Sequence, residues 1–460
     1  MTEIVFDSNL IKRYDVPCPR YTSYPTAVQF SKDYTAAHYI ENGIQSNQSQ
    51  KPLSLYFHIP FCDTLCYYCA CNKIATKNRA KATEYLDYLY QEIKQQSQYF
   101  DPSRKVNQLH WGGGTPTFIS MDEMSELMDV TRTFFNLQDD DKGEYALEID
   151  PRRITPDTIT HLRGLGFNRA SLGIQDFDPI VQKAVNRVQP ETQSLEIAES
   201  IRENRFKSLS VDLIYGLPFQ TLSSFMKTID KILRLNPDRI SIFNFAYLPD
   251  RFSPQKRINL VDLPSPETKL EIFKQCIKEL CGAGYVYIGM DHFAKAHDEL
   301  TLAQKAGTLY RNFQGYSTHA ECDLIGMGVS SIGLIGDHYA QNTVSLEDYY
   351  QAIQNNQLSI VKGIKIDRDD LIRKKIIMEL ICHFVLSFEK IESLYDIDFM
   401  KYFSRELKTM ELLSQDGLLQ VDKAGITVSA KGRLLIRNIC AVFDRYYNPT
   451  QPKAPHSKAI

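Results

Sequence analysis

The chain has 460 residues, 43% of them hydrophobic, and a formal net charge of −3. That length suggests two or three domains with ample apolar material for a core. The near-neutral charge excludes the global basic field of a nucleic-acid binder, and no apolar run approaches the ~20 residues of a membrane helix. The first residues, MTEIVFDSNLIKRYD, lack the basic and apolar regions of a signal peptide. A cytoplasmic location is therefore expected, where thiols stay reduced and clustered cysteines favour metal over disulfides.

From about residue 53 to 250, strand-like runs alternate with helix-compatible segments. The runs are LSLYFHIPF (53–61), QLHWGGGT (108–115), EYALEIDPR (144–152), RASLGIQD (169–176), SLSVDLIYG (208–216) and DRISIFNFA (238–246). Amphipathic stretches such as KATEYLDYLYQEIKQQ and MDEMSELMDVTRTFF lie between them. Strand–helix alternation of this kind indicates parallel βαβ units, and six in a row fit a partial or complete barrel better than an open sheet. Uncommon residues gather where these runs end: a cysteine loop after the first, Gly112-Gly113-Gly114-Thr115 at the second, then Glu148, Gln175, Asp212 and Ala246. Singly, each reads as a turn glycine or a helix cap. Together they mark one rim, the carboxyl-terminal face on which βα barrels build their reactive sites.

The loop FCDTLCYYCACNK (61–73) carries Cys62, Cys66, Cys69 and Cys71 within ten positions. Structural zinc is typically held by two short cysteine pairs separated by a longer loop, and no second pair follows here. A redox pair would need only Cys66 and Cys69. Iron–sulfur clusters are held by cysteine thiolates. Three thiolates at CxxxCxxC leave one iron of a 4Fe–4S cluster open for a substrate atom, and this reading fits the strand–loop context best.

CxxxCxxC after the first strand of a βα barrel resembles the radical S-adenosylmethionine superfamily. The segments PRYTSYPTA (19–27), YFHIPFC (56–62), CYYCACNK (66–73), HWGGGTPT (110–117), DLIYGLP (212–218), YIGMDHFA (287–294), NFQGYSTH (312–319), DLIGMGVSSIG (323–333) and AKGRLLIRNIC (430–440) resemble the oxygen-independent coproporphyrinogen III oxidases over nearly the whole chain. The resemblance implies an α/β fold: a radical-SAM-type partial (βα)6 TIM-like barrel with an N-terminal arm and a mostly helical C-terminal domain. Expected boundaries are 1–50 for an arm covering the active site, 51–300 for the barrel with its cluster, 301–364 for a barrel-closing and substrate region, and 365–460 for the helical domain.

The chemistry so implied is cleavage of S-adenosylmethionine by one electron from the cluster. The 5′-deoxyadenosyl radical then takes hydrogen from a propionate of coproporphyrinogen III, and loss of carbon dioxide and an electron leaves a vinyl group. Two propionates react, giving protoporphyrinogen IX. By resemblance, Cys62, Cys66 and Cys69 are the cluster ligands, and Tyr56 and Tyr68 lie near the bound cofactor. Gly113, Gly114 and Thr115 receive its methionyl end. Glu148, Gln175, Arg187 and Asp212 make its polar contacts, with Ala246 adding a backbone contact. Phe313, Gln314 and Ile332 match a second S-adenosylmethionine site. Arg20 is a candidate partner for a substrate propionate, although Cys18 stands where the family usually has glycine. Cys71 cannot ligate iron without blocking the open site, so it is either a proton or hydrogen donor near the substrate or a packing residue, and it is a candidate catalytic residue with Tyr56 and Arg20. Cys322 reads as a buried thiol.

Implied partners are coproporphyrinogen III and a reducing donor such as a flavodoxin system, with no nucleic acid or membrane, and a monomer is expected. The segments LIRKKIIMELICHF (371–384), MELLSQDGLLQV (410–421) and ITVSAKGRLLIRNICAVF (426–443) read as helices around a short hairpin. That pattern alone suits a winged helix, but its few basic residues sit among acids, which favours a lid or scaffold. The alternative within the superfamily is a haem chaperone, whose members usually carry an aromatic residue in place of Cys71.

Overall fold

Each of the six strand-like runs forms a strand in the computed structural model, which describes residues 4–138, 140–448 and 458. They are β1 (Leu53–Ile59), β2 (Lys105–Gly113), β3 (Glu144–Ile149), β4 (Arg169–Gln175), β5 (Ser208–Tyr215) and β6 (Arg239–Asn244). All five neighbouring pairs in this series are parallel. Beyond β1 the sheet continues through β7 (Asp323–Met327), β8 (Ile332–Ile335), β9 (His338–Asn342) and β10 (Ile360–Lys365). The first of these runs parallel to β1 and the rest are antiparallel to one another. These strands lengthen the sheet beyond β1 rather than pairing with β6. Helices α1 (Ala80–Ser97), α2 (Met121–Phe134), α3 (Pro156–Gly164), α4 (Glu191–Glu203) and α5 (Leu222–Leu235) fall between consecutive strands.

Side-chain alternation decides what each face carries. Along β3, β4 and β5 fully buried apolar residues such as Leu147, Leu172 and Val211 alternate with part-buried Glu148, Ser171, Gly173, Gln175 and Asp212. A strand's period is two, so the second set shares one side of the sheet. Register then sets Glu148 beside Ser171 and Gly173 beside Asp212.

The described residues divide into two compact units: 30–269 with 321–365, and 1–29 with 270–320 and 366–460. Residues 30–50 belong with the sheet because Ser31 exchanges backbone hydrogen bonds with Gly363 of β10, at 2.8 and 3.0 Å, and Asn42 donates to the Ile335 carbonyl at 2.8 Å. Residues 17–24 belong with the C-terminal helices, because buried Arg437 donates to the backbone carbonyls of Cys18 and Pro19. Tyr21 adds a hydrogen bond to Asp444 at 3.2 Å. In that second unit LIRKKIIMELICHF lies largely on a helix (Arg368–His383), and the hairpin of Leu419–Val421 with Gly425–Val428 is joined by a third strand, Val385–Ser387. Among the described residues no helix is long and apolar enough to cross a membrane.

Glu92 of α1 is fully buried beneath the β1–β7 junction. Burial raises its pKa, and four donors oppose that: the Gly328 amide at 2.7 Å, Tyr349 Oη at 2.7 Å, Asn342 at 2.8 Å and Gln96 at 3.1 Å. Removing this acceptor takes away the partner of the buried Gly328 amide and Tyr349 hydroxyl, while Gln96 and Asn342 keep the carbonyls of Gly326 and Gly328. Glu92→Ala is expected to lower unfolding free energy by about 3 kcal/mol or more in urea titration; a loss below about 1 kcal/mol would show the network does not hold the junction.

Candidate active site

The cysteine loop has little secondary structure of its own, and its backbone is tied down from outside. At its base Phe61–Cys62 pairs in parallel with Ile74–Ala75. The Tyr67 amide donates to the Val185 carbonyl at 3.0 Å, and the Asn186 side chain donates to the Leu65 carbonyl at 2.9 Å. Lys73 Nζ donates to the carbonyls of Cys69 and Cys71 at 2.9 and 3.3 Å. His58 Nε2 lies 2.9 Å from the Asn72 carbonyl, which can only accept, so this nitrogen carries the proton. His58 Nδ1 then accepts from Tyr56 Oη at 3.1 Å, and burial lowers the histidine pKa, keeping the ring neutral.

So held, Cys62, Cys66, Cys69 and Cys71 line one cavity with Tyr68, Gly113, Gly114, Thr115, Glu148, Gln175, Arg187 and Asp212. Cys71 is exposed, whereas Cys66 is buried. The Cys66 sulfur faces two guanidinium donors, Arg187 Nη1 at 3.6 Å and Arg152 Nη2 at 3.8 Å. Thr115 Oγ1 lies 3.5 Å from the Cys62 sulfur. Burial nevertheless pushes the Cys62 thiol up to about 11. A hydrogen bond from Cys71 and the charge of Lys73 hold Cys69 below the usual thiol range. Three sulfurs in one cavity, with guanidinium donors at Cys66 and Lys73 beside Cys69, fit an iron–sulfur cluster.

The rest of the cavity is polar for stated reasons. Burial alone would raise Asp150, but Arg187 and Arg152 bring it down to about 2. Arg152 reaches it at 2.6 Å and Arg187 at 3.3 Å. Arg187 is only 7% exposed, and its Nε has no partner among the described residues. An orphaned buried donor on this rim suits an anionic ligand. Glu148 accepts from the Gly113 amide at 3.3 Å and lies 3.4 Å from His110. Gly113 has φ +115°, and a Cβ there would press within 2.7 Å of the His58 ring. At Gly114 it would meet the Pro60 backbone at 2.6 Å. Gln175 adopts φ +69° beside a register shift in the β4–β5 ladder, the kind of bulge that re-aims a side chain next to a site. Asp212 accepts from Ser171 at 2.9 Å, and burial pushes it up from 3.8 to about 6.

Residues 56–232 match the model of the radical SAM superfamily, and residues 366–435 match that of the HemN C-terminal domain. The oxygen-independent coproporphyrinogen III oxidase of Pseudomonas aeruginosa is 51% identical over 96% of both chains. Its Escherichia coli counterpart is 49% identical over 100% of this chain and 99% of its own. The chain belongs to the oxygen-independent coproporphyrinogen III oxidase family. A solved structure of coproporphyrinogen III oxidase (HemN) from Escherichia coli, described as a radical SAM enzyme, superposes with a TM-score of 0.92 at 47% identity, covering 97% of this chain and 100% of that one. As a radical SAM protein of the oxidase family, the chain is a 4Fe–4S and S-adenosylmethionine protein.

Not every residue expected from the family lies on the cavity. Tyr56 sits on β1, its ring stacked on His110 with centroids 5.8 Å apart. Ala246 follows β6, and its carbonyl accepts from Gln255 at 3.2 Å. Ile332 opens β8 and pairs with Gln341. Arg20, Phe313 and Gln314 belong to the second unit, where Arg20 is paired with Asp291 and the buried Gln314 Nε2 has no partner among the described residues. Cys322 is half-buried rather than buried. The sequence reading missed Asp150, Arg152, His58, His110 and Gln255. Gln255 is 1% exposed and donates to the carbonyls of both Ala246 and Tyr68, joining the β6 loop to the cysteine loop. Its only sequence signal is a polar residue in an otherwise unremarked loop.

Asp212 supplies a pH test. Its folded pKa lies above the unfolded value, so the folded state binds the proton more tightly and stability is lost as pH rises from about 4 through about 6. Asp212→Asn should therefore stabilise the cofactor-free oxidase at pH 7.5 by roughly 1–2 kcal/mol, a gain that vanishes by about pH 4. Thermal unfolding across that range measures it, and a destabilised variant at pH 7.5 would contradict the burial argument.

Proposed function

We propose that the chain converts coproporphyrinogen III to protoporphyrinogen IX without dioxygen, oxidatively decarboxylating two propionates to vinyl groups. The observation that carries this reading is the convergence of Cys62, Cys66 and Cys69 on one cavity with the polar rim of β2–β5, in a chain that belongs to the oxidase family along its whole length. When bound, the cluster and S-adenosylmethionine supply one electron and a carbon radical able to take hydrogen from a propionate. Cys62, Cys66 and Cys69 hold the cluster, and Arg152 and Arg187 direct guanidinium donors at the Cys66 sulfur. The orphaned Nε of Arg187 suits the methionyl carboxylate, while Glu148 and Asp212 suit the ammonium and ribose hydroxyls, and Gln175 an adenine or hydroxyl edge. Gly113, Gly114 and Thr115 let the backbone approach the methionyl end. Tyr68 packs beside the cofactor, and Ala246 retains a second lone pair for a backbone contact.

The finer assignments rest on the family pattern. Phe313, Gln314 and Ile332 belong to a second S-adenosylmethionine site, consistent with two decarboxylations. Arg20 exchanges its Asp291 partner for a substrate propionate. Cys71, exposed to the cavity and with its thiol near Cys69, gives a proton or hydrogen, with the Tyr56–His58 pair behind it. A flavodoxin-type donor, a cytoplasmic location and a monomer complete the proposal.

Anaerobic turnover with coproporphyrinogen III tests it. Protoporphyrinogen IX should form with one 5′-deoxyadenosine per propionate converted; stable haem binding without any porphyrinogen conversion would contradict it. The thiols separate by role: Cys62→Ser, Cys66→Ser and Cys69→Ser should each lose most iron, since a serine oxygen replaces a soft thiolate poorly. Cys71→Ser should keep its iron and lose conversion, and equal iron loss in all four variants would refute the three-ligand reading.

A further inference from the structure

The segment leaving the cysteine loop, KIATKNRAK (73–81), carries Lys73, Lys77, Arg79 and Lys81 in nine residues of a chain whose net charge is −3. Lys73 is turned onto the loop carbonyls. Lys77, Arg79 and Lys81 are exposed. Arg79 is fixed in place: both oxygens of Asp63 accept from its Nη2 at 3.0 Å, the Phe118 carbonyl accepts from Nη1 at 2.9 Å, and its guanidinium lies 3.7 Å over the Phe118 ring. Arg153 comes within 3.7 Å of the same Asp63 carboxylate. Lys77 and Lys81 have no ion-pair partner among the described residues. Arg79 and Arg153 thus share one largely covered carboxylate, and the exposed Lys77 and Lys81 add two cations on the same segment as Arg79.

Its covalent position matters as much as its charge. Ala75 is exposed and pairs with Cys62 across the short parallel ladder. The Thr76 amide donates to the Cys62 carbonyl at 2.9 Å. Exposed backbone flanked by cations therefore stands one hydrogen bond from a cluster ligand.

We propose that residues 75–81, with Arg153, form the docking surface for an acidic, low-potential electron-transfer protein that reduces the cluster. The proposal rests on the function proposed above, because it requires a cluster at Cys62, Cys66 and Cys69. One electron leaves the donor, which is oxidised by one, and enters the cluster, which is reduced by one; no atom is transferred. Opposite charges at the contact speed encounter and make it salt-dependent, which a local patch achieves even when net charge does not.

The test compares the loaded wild-type enzyme with Lys77→Glu/Lys81→Glu, using an acidic flavodoxin reduced beforehand as the donor and dithionite as a small chemical reductant. Cluster bleaching by stopped flow gives the rate, and calorimetry with oxidised flavodoxin gives the affinity, both at low and high salt. The reversed pair should slow reduction by flavodoxin about tenfold at low salt, weaken its binding similarly and flatten the salt dependence. Dithionite-driven cleavage of S-adenosylmethionine should stay at the wild-type level. Lys51→Glu/Lys227→Glu, which changes net charge equally at exposed sites elsewhere, should leave both readouts within about twofold. If the reversed pair fails to load a cluster, Lys77→Gln/Lys81→Gln is read by the same criteria with a smaller effect. Unchanged rate and salt slope, an equal effect from the Lys51/Lys227 pair, or weakened porphyrinogen binding with flavodoxin affinity intact would each overturn the proposal. Failure of the wild type to cleave S-adenosylmethionine with dithionite would instead overturn the function beneath it.

Discussion

A ten-residue loop carrying four thiols cannot hold its own shape, and the site depends on how the fold solves that problem. The loop's backbone groups find partners in other elements: Val185 and Asn186 after β4, Gln255 after β6, and His58 on β1. A buried backbone polar group left unpaired is costly, so each of these bonds fixes the loop as well as satisfying it. Because neighbouring strands are parallel, all their carboxyl ends meet on the same rim, and one loop can be reached from several of them at once. The loop cysteines are thereby positioned by the surrounding strands rather than by local sequence.

The same rim stores unfavourable electrostatics. Asp212 accepts from the Ser171 hydroxyl, and burial pushes its carboxyl upward. Asp150 is the converse, a buried carboxylate held ionised between two arginines. Arg152 and Arg187 in turn direct their remaining donors at the Cys66 sulfur. One environment favours a neutral acid and the other a charged network, within a single cavity. Such groups are poor contributors to stability and good ones to ligand recognition. Gln175, with its positive φ at a strand bulge, belongs to the same class of locally unfavourable, functionally placed residues.

Much of this was legible in the amino-acid pattern, for a physical reason. Strand period and parallel pairing together dictate that Glu148, Gln175 and Asp212 share a face and an end, so recognising the βα rhythm places them without further information. Arg187 shows where the pattern stops. In NRVQP it looks like a solvated loop charge, and only the packed structure shows it buried against Asp150. Asp150 itself has the sequence signature of a cap, which it also is, accepting from the Arg152 amide at 3.1 Å. Gln255 acts through two carbonyls that no sequence pattern identifies. Each unit is assembled from separated stretches, and ties such as Arg437 to Cys18 and Ser31 to Gly363 span hundreds of residues, which no local pattern reveals.

The central claim is that three thiolates hold the cluster and leave one iron open to S-adenosylmethionine. Pulsed electron–nuclear double resonance on the reduced, loaded protein, with 15N in the amino group and 17O in the carboxylate of S-adenosylmethionine, addresses it directly. Hyperfine coupling from both labels to the cluster is the expected result. A cluster spectrum unperturbed by either label, at saturating S-adenosylmethionine, would mean that all four irons are ligated by protein and that the account is wrong.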